Sequence, residues 1–333
     1  HEIGQVDVGL PKRVDRAHVA PVGFGFQPRF HTAVRELVRH GLAVLDDLGN
    51  LEFRSRVAAV EEQAEFGGLL FRCAEVAGDA VHREAVPQPL GQVMIGGTVG
   101  EVVDSQHPKF KVGDQVVGMG GWQEYSVVDA NVLGALRKVD TTHVPLSHYL
   151  GAVGMPGVTA WYGLVKIIAP KAGETVTVSA ASGAVGSAYG ALAKARGCRV
   201  VGIAGGKDKC DYVVNELGFD ACIDYKEHKD YISLSKALRE ACPNGIDGHF
   251  ENVGGMVLDA VMLRTNAFAR IAVCGMIAGY DGAPLPMANP ALILVNRMKI
   301  EGFIVSEHME VWPEALQELG TLVGTGKLRP RES

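Results

Sequence analysis

Cysteine is scarce in this sequence of 333 residues. Its six cysteines are scattered, and no two of them stand at Cys-x-x-Cys spacing. Disulfide frameworks and structural zinc sites both use closely spaced cysteines, so the sequence disfavours both. The pattern is typical of reduced thiols, and we expect a cytoplasmic protein.

The sequence also lacks a long apolar run and an excess of positive charge. Its most apolar stretch, residues 152–169, contains Pro156, glycines and Lys166. It therefore falls short of the roughly 20 apolar residues that span a bilayer. Lys and Arg total 32 against 38 Asp and Glu, which gives a formal net charge of −6. We expect neither a membrane nor nucleic acid as a partner.

Residues 1–86 lack methionine, tyrosine and tryptophan, all of which occur in the rest of the chain. The segment has nine arginines and one lysine, whereas residues 87–333 have nine arginines and thirteen lysines. In this segment, no sustained apolar pattern of a helix or strand is accompanied by capping and turn residues that fit it. Two interpretations stay open: a divergent N-terminal region, or, as we favour, a segment read from the wrong frame or strand of a GC-rich gene. Residues 1–86 are therefore left unassigned.

An apolar alternation typical of antiparallel strands begins near Gln92. Val93 and Ile95 open it, and residues 99–103, 110–117 and 124–128 continue it. Glycines between these stretches supply turns. Residues 87–139 are therefore predicted to be a β-rich unit, part of a small barrel or sandwich.

Residues 140–325 show strands that alternate with helices, which is the pattern of a parallel sheet covered on both faces. The sequence thus predicts an α/β protein with a doubly wound, Rossmann-type sheet. Each expected strand ends in polar or glycine-rich residues, where such sheets bind ligands. The six strands are expected at 174–180, 199–203, 221–224, 248–251, 270–274 and 299–305.

A phosphate-binding turn follows the first of these strands. It has the form Ala-x-Gly-x-x-Gly, with its glycines at Gly183 and Gly186, and it opens a helix expected to run to about Arg196. Gly183 lets the backbone approach a pyrophosphate, and Gly186 lets the helix pack closely on the strand. The helix N-terminus presents unpaired N–H groups to the anion. A dinucleotide is therefore the expected cofactor.

The end of the second strand favours NADP(H) over NAD(H). An NAD site places a carboxylate there, whereas this strand ends in Ala-Gly-Gly (204–206). Lys207 or Lys209 can neutralise a 2′-phosphate beside the glycines. Asp208 argues against this, but its place in the first helical turn also suits a capping role. Tyr225, after the third strand, either flanks the adenosine phosphate or is a surface residue.

Zinc-assisted alcohol chemistry is disfavoured. On this architecture it needs thiolate and imidazole ligands in the β-rich unit, and residues 87–150 contain no cysteine. We predict no metal site. Without a Lewis acid, hydride adds more easily to the β-carbon of an enone than to an unactivated ketone, because the enone carbonyl spreads the charge into an enolate. A small α,β-unsaturated aldehyde or ketone is the expected substrate.

Six segments carry a resemblance to a known family: Gly-Met-Pro-Gly-Val-Thr-Ala-Trp-Tyr (154–162), Ala-Ala-Ser-Gly-Ala-Val-Gly-Ser (180–187), Val-Gly-Ile-Ala-Gly-Gly (201–206), Glu-Leu-Gly-Phe-Asp (216–220), Glu-Asn-Val-Gly-Gly (251–255) and Asn-Arg-Met-Lys-Ile-Glu-Gly-Phe (296–303). Through them, residues 87–333 closely resemble the zinc-independent medium-chain dehydrogenase/reductases of the leukotriene B4 12-hydroxydehydrogenase and prostaglandin reductase group. The bacterial curcumin-reductase-like members are the most similar in pattern. The resemblance implies an NADPH-dependent reductase of enone and alkenal C=C bonds, with a Rossmann domain and a GroES-like domain.

The resemblance also implies roles for particular residues. The 2′-phosphate is expected near Gly205, Lys209 and Tyr225, where Lys209 is chosen over Lys207 by the resemblance alone. Tyr280 matches a tyrosine beside the nicotinamide ribose and the substrate, and it is the expected catalytic residue. The expected cofactor-binding residues are Gly183, Ala184, Val185, Gly186, Ser187, Gly205, Lys209, Tyr225, Asn252, Cys274, Gly275, Tyr280, Phe303, Ile304 and Val305.

The comparison with the family also sets the expected domain limits. Residues 87–139 are interpreted as a partial GroES-like β-rich domain, residues 140–325 as the NADP-binding domain, and residues 326–333 as the start of a truncated return to the substrate domain. We therefore expect NADPH binding with slow turnover. A zinc-free quinone reductase and a catalytically silent, truncated NADPH-binding product are the alternatives. A homodimer through an edge of the parallel sheet is implied by the family only.

Overall fold

A computed structural model of the chain describes residues 69–77, 91–132, 134–282 and 284–331. Most of the segment that the sequence left unassigned lies outside these ranges. Within them, no helix is both long enough and apolar enough to cross a bilayer.

A small antiparallel sheet comes first along the chain. Its strands are β1 (Leu69–Ala77), β2 (Gly97–Asp104), β3 (Gln115–Gly118), β4 (Tyr125–Val128) and β5 (Leu136–Lys138), in the spatial order β4-β1-β2-β3-β5. β1 belongs to the unassigned segment, yet it pairs with both β2 and β4. The β-rich unit is therefore present, and its sheet also uses residues before position 87.

One predicted strand is absent from this sheet. Val93 and Ile95 lie in irregular chain before β2, so the expectation of a strand there is wrong. The backbone N–H of Trp122 donates to the Met94 carbonyl at 2.8 Å, and that of Gly121 donates to the Gly96 carbonyl at 3.1 Å. The segment is thus hydrogen-bonded to a turn and does not join the ladder.

The second sheet is parallel and carries the predicted Rossmann pattern. Its strands are β6 (Thr175–Ser179), β7 (Arg199–Ala204), β8 (Ala221–Asp224), β9 (Ile246–Glu251), β10 (Thr265–Val273) and β11 (Lys299–Gly302). Their order is β11-β10-β9-β6-β7-β8, with every pair parallel. The direction of the strand order reverses between β6 and β9, which opens a crevice beyond the carboxyl ends of these two strands.

Helices cover the sheet, and all but the first and last of those named here connect its strands. They are α1 (Met155–Tyr162), α2 (Ala184–Ala195), α3 (Lys207–Asn215), α4 (Tyr231–Ala241), α5 (Gly255–Met262), α6 (Ala291–Val295) and α7 (Trp312–Gly324). α2 ends at the residue before Arg196, as the sequence predicts. α4 begins with a capping box in which Asp230 accepts the backbone N–H of Ser233 and the Ser233 side chain pairs with the Asp230 backbone.

Apolar side chains lie on both faces of the parallel sheet. Val200 belongs to a core with residues of α1, α2 and α7, whereas its neighbour Val201 belongs to a core with residues of α4 and α5. Successive strand residues point to opposite faces, so a strand covered on both sides is mostly apolar. This burial holds the carboxyl ends of the strands in fixed positions.

Candidate active site

The phosphate-binding turn joins β6 to α2. Ala180 takes a positive φ of 51°, which is uncommon for a residue other than glycine, and its carbonyl accepts the backbone N–H of Gly183 at 3.0 Å. A Cβ on Gly186 would lie 2.5 Å from the Ala180 carbonyl oxygen and 2.8 Å from the Ala181 Cα. Because both contacts are with backbone, the turn can close only if position 186 is glycine.

The N-terminus of α2 is suited to bind an anion. Gly183 is its N-cap residue, and the first helical N–H groups, at Ala184, Val185 and Gly186, have no acceptor within the helix. The first turn carries no acidic side chain, and the helix dipole adds positive potential. This donor set fits a pyrophosphate.

The site expected to take the 2′-phosphate lies between the β7–α3 turn and the end of β8. A Cβ on Gly205 would lie 2.8 Å from Tyr225 Cε1 and 3.0 Å from its hydroxyl oxygen, so the tyrosine ring lies directly over this glycine. Lys207 Nζ pairs with Asp211 at 2.5 Å. Lys209 is exposed and has no ion pair within the described part of the chain. Of the two candidate lysines, Lys209 is thus the one whose ammonium group is available to a phosphate.

Asp224 is the carboxylate at this edge of the sheet. Its Oδ1 accepts the backbone N–H groups of Gly206 at 2.8 Å and Lys226 at 3.0 Å. The bond from Gly206 is the main reason that the pKa of Asp224 is below its usual range. This carboxylate belongs to β8 and joins the β7–α3 turn to the end of β8, while β7 itself ends without an acid.

A buried polar network occupies the switch point between β6 and β9. Thr177, Ser179, His249 and Glu251 are all fully buried. Thr177 Oγ1 lies 2.8 Å from His249 Nδ1, and His249 Nε2 lies 3.1 Å from Glu251 Oε2. The Ser179 hydroxyl donates to Glu251 Oε1 at 2.6 Å. The network therefore links the ends of the two strands that flank the crevice.

Glu251 also organises the loop that follows β9. Its Oε1 accepts the backbone N–H groups of Val253 at 2.6 Å and Gly254 at 3.0 Å. Burial alone would raise the pKa of this carboxyl group. The hydrogen bonds and charge of His249, together with the bonds from Ser179 and Val253, outweigh burial and lower the pKa to about 2. The carboxylate is therefore charged at neutral pH.

Asn252 begins this loop. Its backbone N–H donates to Ser179 Oγ at 2.7 Å, and its side-chain Nδ2 donates to the Ser179 carbonyl at 2.8 Å. Its own carbonyl accepts the backbone N–H of Ile277 at 3.1 Å. The backbone N–H groups of Cys274 and Gly275 both donate to the Glu251 carbonyl. The loops after β9 and β10 are thus bonded to each other beside the crevice.

Tyr280 lies over this junction. Its hydroxyl oxygen is 3.1 Å from the point where a Cβ on Gly275 would stand, and the same point is 3.4 Å from the Asn252 carbonyl oxygen. The side chain is 42% exposed, so its hydroxyl can be reached from solvent. Burial raises the pKa of the neighbouring Cys274 thiol, with a further contribution from Glu251, to about 11. Cys274 is therefore a neutral thiol at this site.

The segment after β11 closes the same edge of the sheet. The Phe303 ring lies 5.2 Å from the Tyr162 ring, and Tyr162 stacks on His308 at 4.1 Å. Val305 is buried in the core beside them. Ile304, between Phe303 and Val305 in the sequence, has an extended backbone. The structure thus brings the segments predicted from the fourth, fifth and sixth strands to one edge of the sheet.

Sequence reasoning did not single out Thr177, Ser179 and His249, and it gave Glu251 no role. The available signal was their position inside strands. Parallel strands covered on both faces are nearly all apolar, so a threonine, a serine, a histidine and a glutamate within them indicate a buried network.

Comparison with known proteins places the chain in a family. A family model described as the N-terminal domain of oxidoreductases matches residues 77–136, and one described as zinc-binding dehydrogenase matches residues 184–321. The chain is 43% identical, over 253 residues, to the NADPH-dependent curcumin reductase of Escherichia coli (strain K12), covering 74% of this chain and 71% of that protein. This chain belongs to the medium-chain dehydrogenase/reductases, in their prostaglandin reductase and curcumin reductase group.

Other members of the group show comparable sequence identity to this chain. The 2-alkenal reductase (NADP(+)-dependent) of Nicotiana tabacum is 44% identical over 239 residues, which cover 72% of this chain and 68% of that protein. The crystal structure of CurA in complex with NADPH from Vibrio vulnificus matches with a TM-score of 0.70 at 39% identity. That match covers 80% of this chain and 82% of the CurA chain.

One feature of the matches and one of the structure bear on the sequence predictions. The N-terminal family match begins at residue 77, ten residues before the predicted start of the β-rich unit. The domain limits stay a prediction. Within the ranges that the structure describes, no three His, Cys, Asp or Glu side chains are grouped as a metal site would require.

Proposed function

We propose that this protein catalyses the NADPH-dependent reduction of the C=C bond of α,β-unsaturated aldehydes and ketones. The proposal rests mainly on one observation: this chain, which belongs to the family, has a crevice between β6 and β9. The phosphate turn, the carboxylate-free end of β7 and the Tyr280 hydroxyl all lie along that edge of the sheet. The names of the tobacco and Escherichia coli relatives refer to a 2-alkenal and to curcumin, which both contain a C=C bond conjugated with a carbonyl.

The cofactor is proposed to bind in three parts. The residues from Gly183 to Ser187 hold the pyrophosphate at the N-terminus of α2. Gly205, Lys209 and Tyr225 hold the 2′-phosphate, where a lysine and a hydroxyl suit an anion and no carboxylate ends β7. The nicotinamide half lies against residues that follow the strands on the other side of the switch point: Asn252, Cys274, Gly275, Tyr280, Phe303, Ile304 and Val305.

Bound NADPH supplies the hydride that adds to the β-carbon of the substrate. Tyr280 is the proposed catalytic residue: its hydroxyl donates a hydrogen bond to the substrate carbonyl oxygen as negative charge develops there. Glu251 and Ser179 hold Asn252 and the following loop in place. Phe303 and Val305 form an apolar wall that keeps water from the reacting atoms.

The test is a comparison of substrates and cofactors with the purified full chain. We expect oxidation of NADPH, followed at 340 nm, when an alkenal or enone is added, and a saturated carbonyl product by mass spectrometry. NADH should support a much lower rate. Faster oxidation with quinones and no saturated product would instead indicate the quinone reductase alternative. Tight NADPH binding without turnover of any substrate would indicate the silent module.

Two further expectations stay proposals. A homodimer through an edge of the parallel sheet would use β8 or β11, the two outermost strands. Light scattering on the protein as it elutes from a size-exclusion column would measure its mass and show whether it is a dimer. A cytoplasmic location is supported by the scattered cysteines, none of which stand at disulfide-framework spacing.

A further inference from the structure

Two cysteines lie in contact beside the proposed 2′-phosphate site. Cys210 is on α3 and Cys222 is in β8, and their Sγ atoms are 3.2 Å apart. Both are free thiols and both are half-buried, so neither is sealed from small reagents. The sulfur atoms therefore need to approach by only about 1.2 Å to reach the bond length of a disulfide, about 2.05 Å.

The pair connects the same two segments that form this proposed site. Cys210 directly follows Lys209 in the first turns of α3, and Cys222 stands three residues before Tyr225. The segments are already joined once, through the hydrogen bond from the Gly206 N–H to Asp224. A covalent bond between the cysteines would add a second connection between these segments.

We propose that Cys210 and Cys222 are an oxidative modification site that forms a reversible intramolecular disulfide with peroxide-class oxidants and thereby weakens NADPH binding. The Cys210 thiol reacts with hydrogen peroxide to give a sulfenic acid and one water. The Cys222 thiol then attacks that sulfur, which forms the S–S bond and releases a second water. Two thiols are oxidised and one peroxide is reduced, and a dithiol reductant reverses the reaction.

The position of each thiol indicates the order of these steps. The Cys222 S–H donates to Cys210 Sγ, and this bond favours the thiolate of Cys210 over that of Cys222. Cys222, in β8, therefore acts as the resolving thiol. Burial raises the pKa of both groups, so we expect slow formation at neutral pH. Transient, regulatory disulfides of this kind are the ones found in reducing compartments.

The effect on the cofactor rests on the proposed NADPH site. Closing the sulfur–sulfur distance draws α3 towards β8 and so displaces Lys209 relative to Tyr225. These two side chains are the proposed ligands of the 2′-phosphate, so their displacement weakens NADPH. NADH lacks that phosphate, and its affinity should stay the same.

The experiment compares the full chain before and after treatment with hydrogen peroxide. Digestion without reduction, by a protease that cleaves after glutamate and so at Glu216 between the two cysteines, is expected to show one peptide pair joined through Cys210 and Cys222 with the loss of two hydrogen atoms. Dithiothreitol should separate this pair. Fluorescence titration should give an NADPH Kd at least threefold higher for the oxidised protein, with the NADH Kd unchanged. The variants Cys210→Ser and Cys222→Ser keep the other cysteines and should show no change in NADPH Kd after peroxide.

Two results would overturn the proposal. One is the absence of the linked peptide pair under conditions that oxidise other thiols of the chain. The other is a linked pair that leaves the NADPH Kd unchanged or changes the NADPH and NADH Kd values equally. Failure of the reduced protein to bind NADPH would count against the proposed function, whereas the peptide map tests the disulfide without any cofactor.

Discussion

The hydroxyl of Ser179 donates a 2.6 Å hydrogen bond to the carboxylate of Glu251, and both side chains are fully buried. Ser179 ends β6 and Glu251 ends β9, the two strands on either side of the switch point. The same carboxylate accepts backbone N–H groups from the loop that begins at Asn252. The bond thus joins the ends of β6 and β9 at the crevice, and it also positions the start of the loop at Asn252.

Replacing this carboxylate with an amide should destabilise the protein. In Glu251→Gln the side-chain NH2 group faces donors that need an acceptor, so we expect the free energy of unfolding to fall by about 2 kcal/mol. Urea unfolding measures this change. Glu240→Gln on the exposed surface of α4 is the matched control and should change the free energy by less than about 0.5 kcal/mol. Equal stability of the two variants would refute the role of Glu251.

The low pKa of Glu251 also predicts how stability depends on pH. In the folded protein the pKa is about 2, below the ordinary value of 4.5. A lowered pKa stabilises the folded state above the unfolded pKa, and this contribution is lost as the pH falls from about 4.5 towards 2. The full contribution is about 3 kcal/mol. Unfolding free energies measured across this range should fall less steeply for Glu251→Gln than for the wild type, and parallel curves would contradict the assignment.

Lys209 should discriminate between the two nicotinamide cofactors. Lys209→Ala removes the proposed partner of the 2′-phosphate, so we expect NADPH affinity to fall by about tenfold or more, with NADH affinity unchanged. Lys207→Ala is the control, because Lys207 is on the same turn but pairs with Asp211. Fluorescence titration with both cofactors measures the effect. Equal losses for NADPH and NADH would show that Lys209 does not contact the phosphate.

The two glycines of the phosphate turn should respond differently to alanine. Gly186→Ala brings a Cβ to 2.5 Å from the Ala180 carbonyl oxygen, and we expect a large drop in Tm. Gly183→Ala places its Cβ at 3.3 Å from the same oxygen, and its φ of −78° suits any residue, so Tm should change little. Its NADPH affinity should fall, because the methyl group obstructs the pyrophosphate. Thermal unfolding and titration of both variants separate the two roles.

The Tyr280 hydroxyl should act on the chemical step. Tyr280→Phe removes one hydrogen-bond donor to the developing oxyanion, so we expect kcat to fall by about 100-fold. The NADPH Kd should change far less than kcat, because the pyrophosphate and the 2′-phosphate are bound elsewhere. Steady-state kinetics with an enone, together with NADPH titration, measures both. A loss confined to NADPH affinity would make Tyr280 a binding residue only.

The parallel sheet was predictable from the sequence because its signals are local. The third strand lies where the sequence places it, at Ala221–Asp224, and α2 ends at the residue before Arg196. The limits of β10 were harder to predict: it begins at Thr265, five residues before the predicted start. Polar residues at its beginning carry no apolar alternation, and only pairing with β9 makes them part of the strand.

The small sheet shows the opposite case. Val93 and Ile95 alternate like strand residues, yet they lie outside the ladder, and the neighbouring Met94 and Gly96 carbonyls accept hydrogen bonds from the turn at Gly121 and Trp122. β1 has no convincing pattern of its own in a segment of unusual composition, and its partners β2 and β4 define it. In both cases, pairing with distant segments decides whether the residues form a strand. Local apolar alternation gives no information about that pairing.

The sequence by itself determined the Rossmann sheet, the phosphate turn at Gly183 and Gly186 and the absence of an acid at the end of β7, because apolar periodicity and glycine spacing are properties of neighbouring residues. Only the tertiary structure decided that Ser179 meets Glu251, that Tyr225 covers Gly205 and that Cys210 touches Cys222. These partners are 72, 20 and 12 residues apart in the sequence, and they meet only after the intervening helices have packed against the sheet.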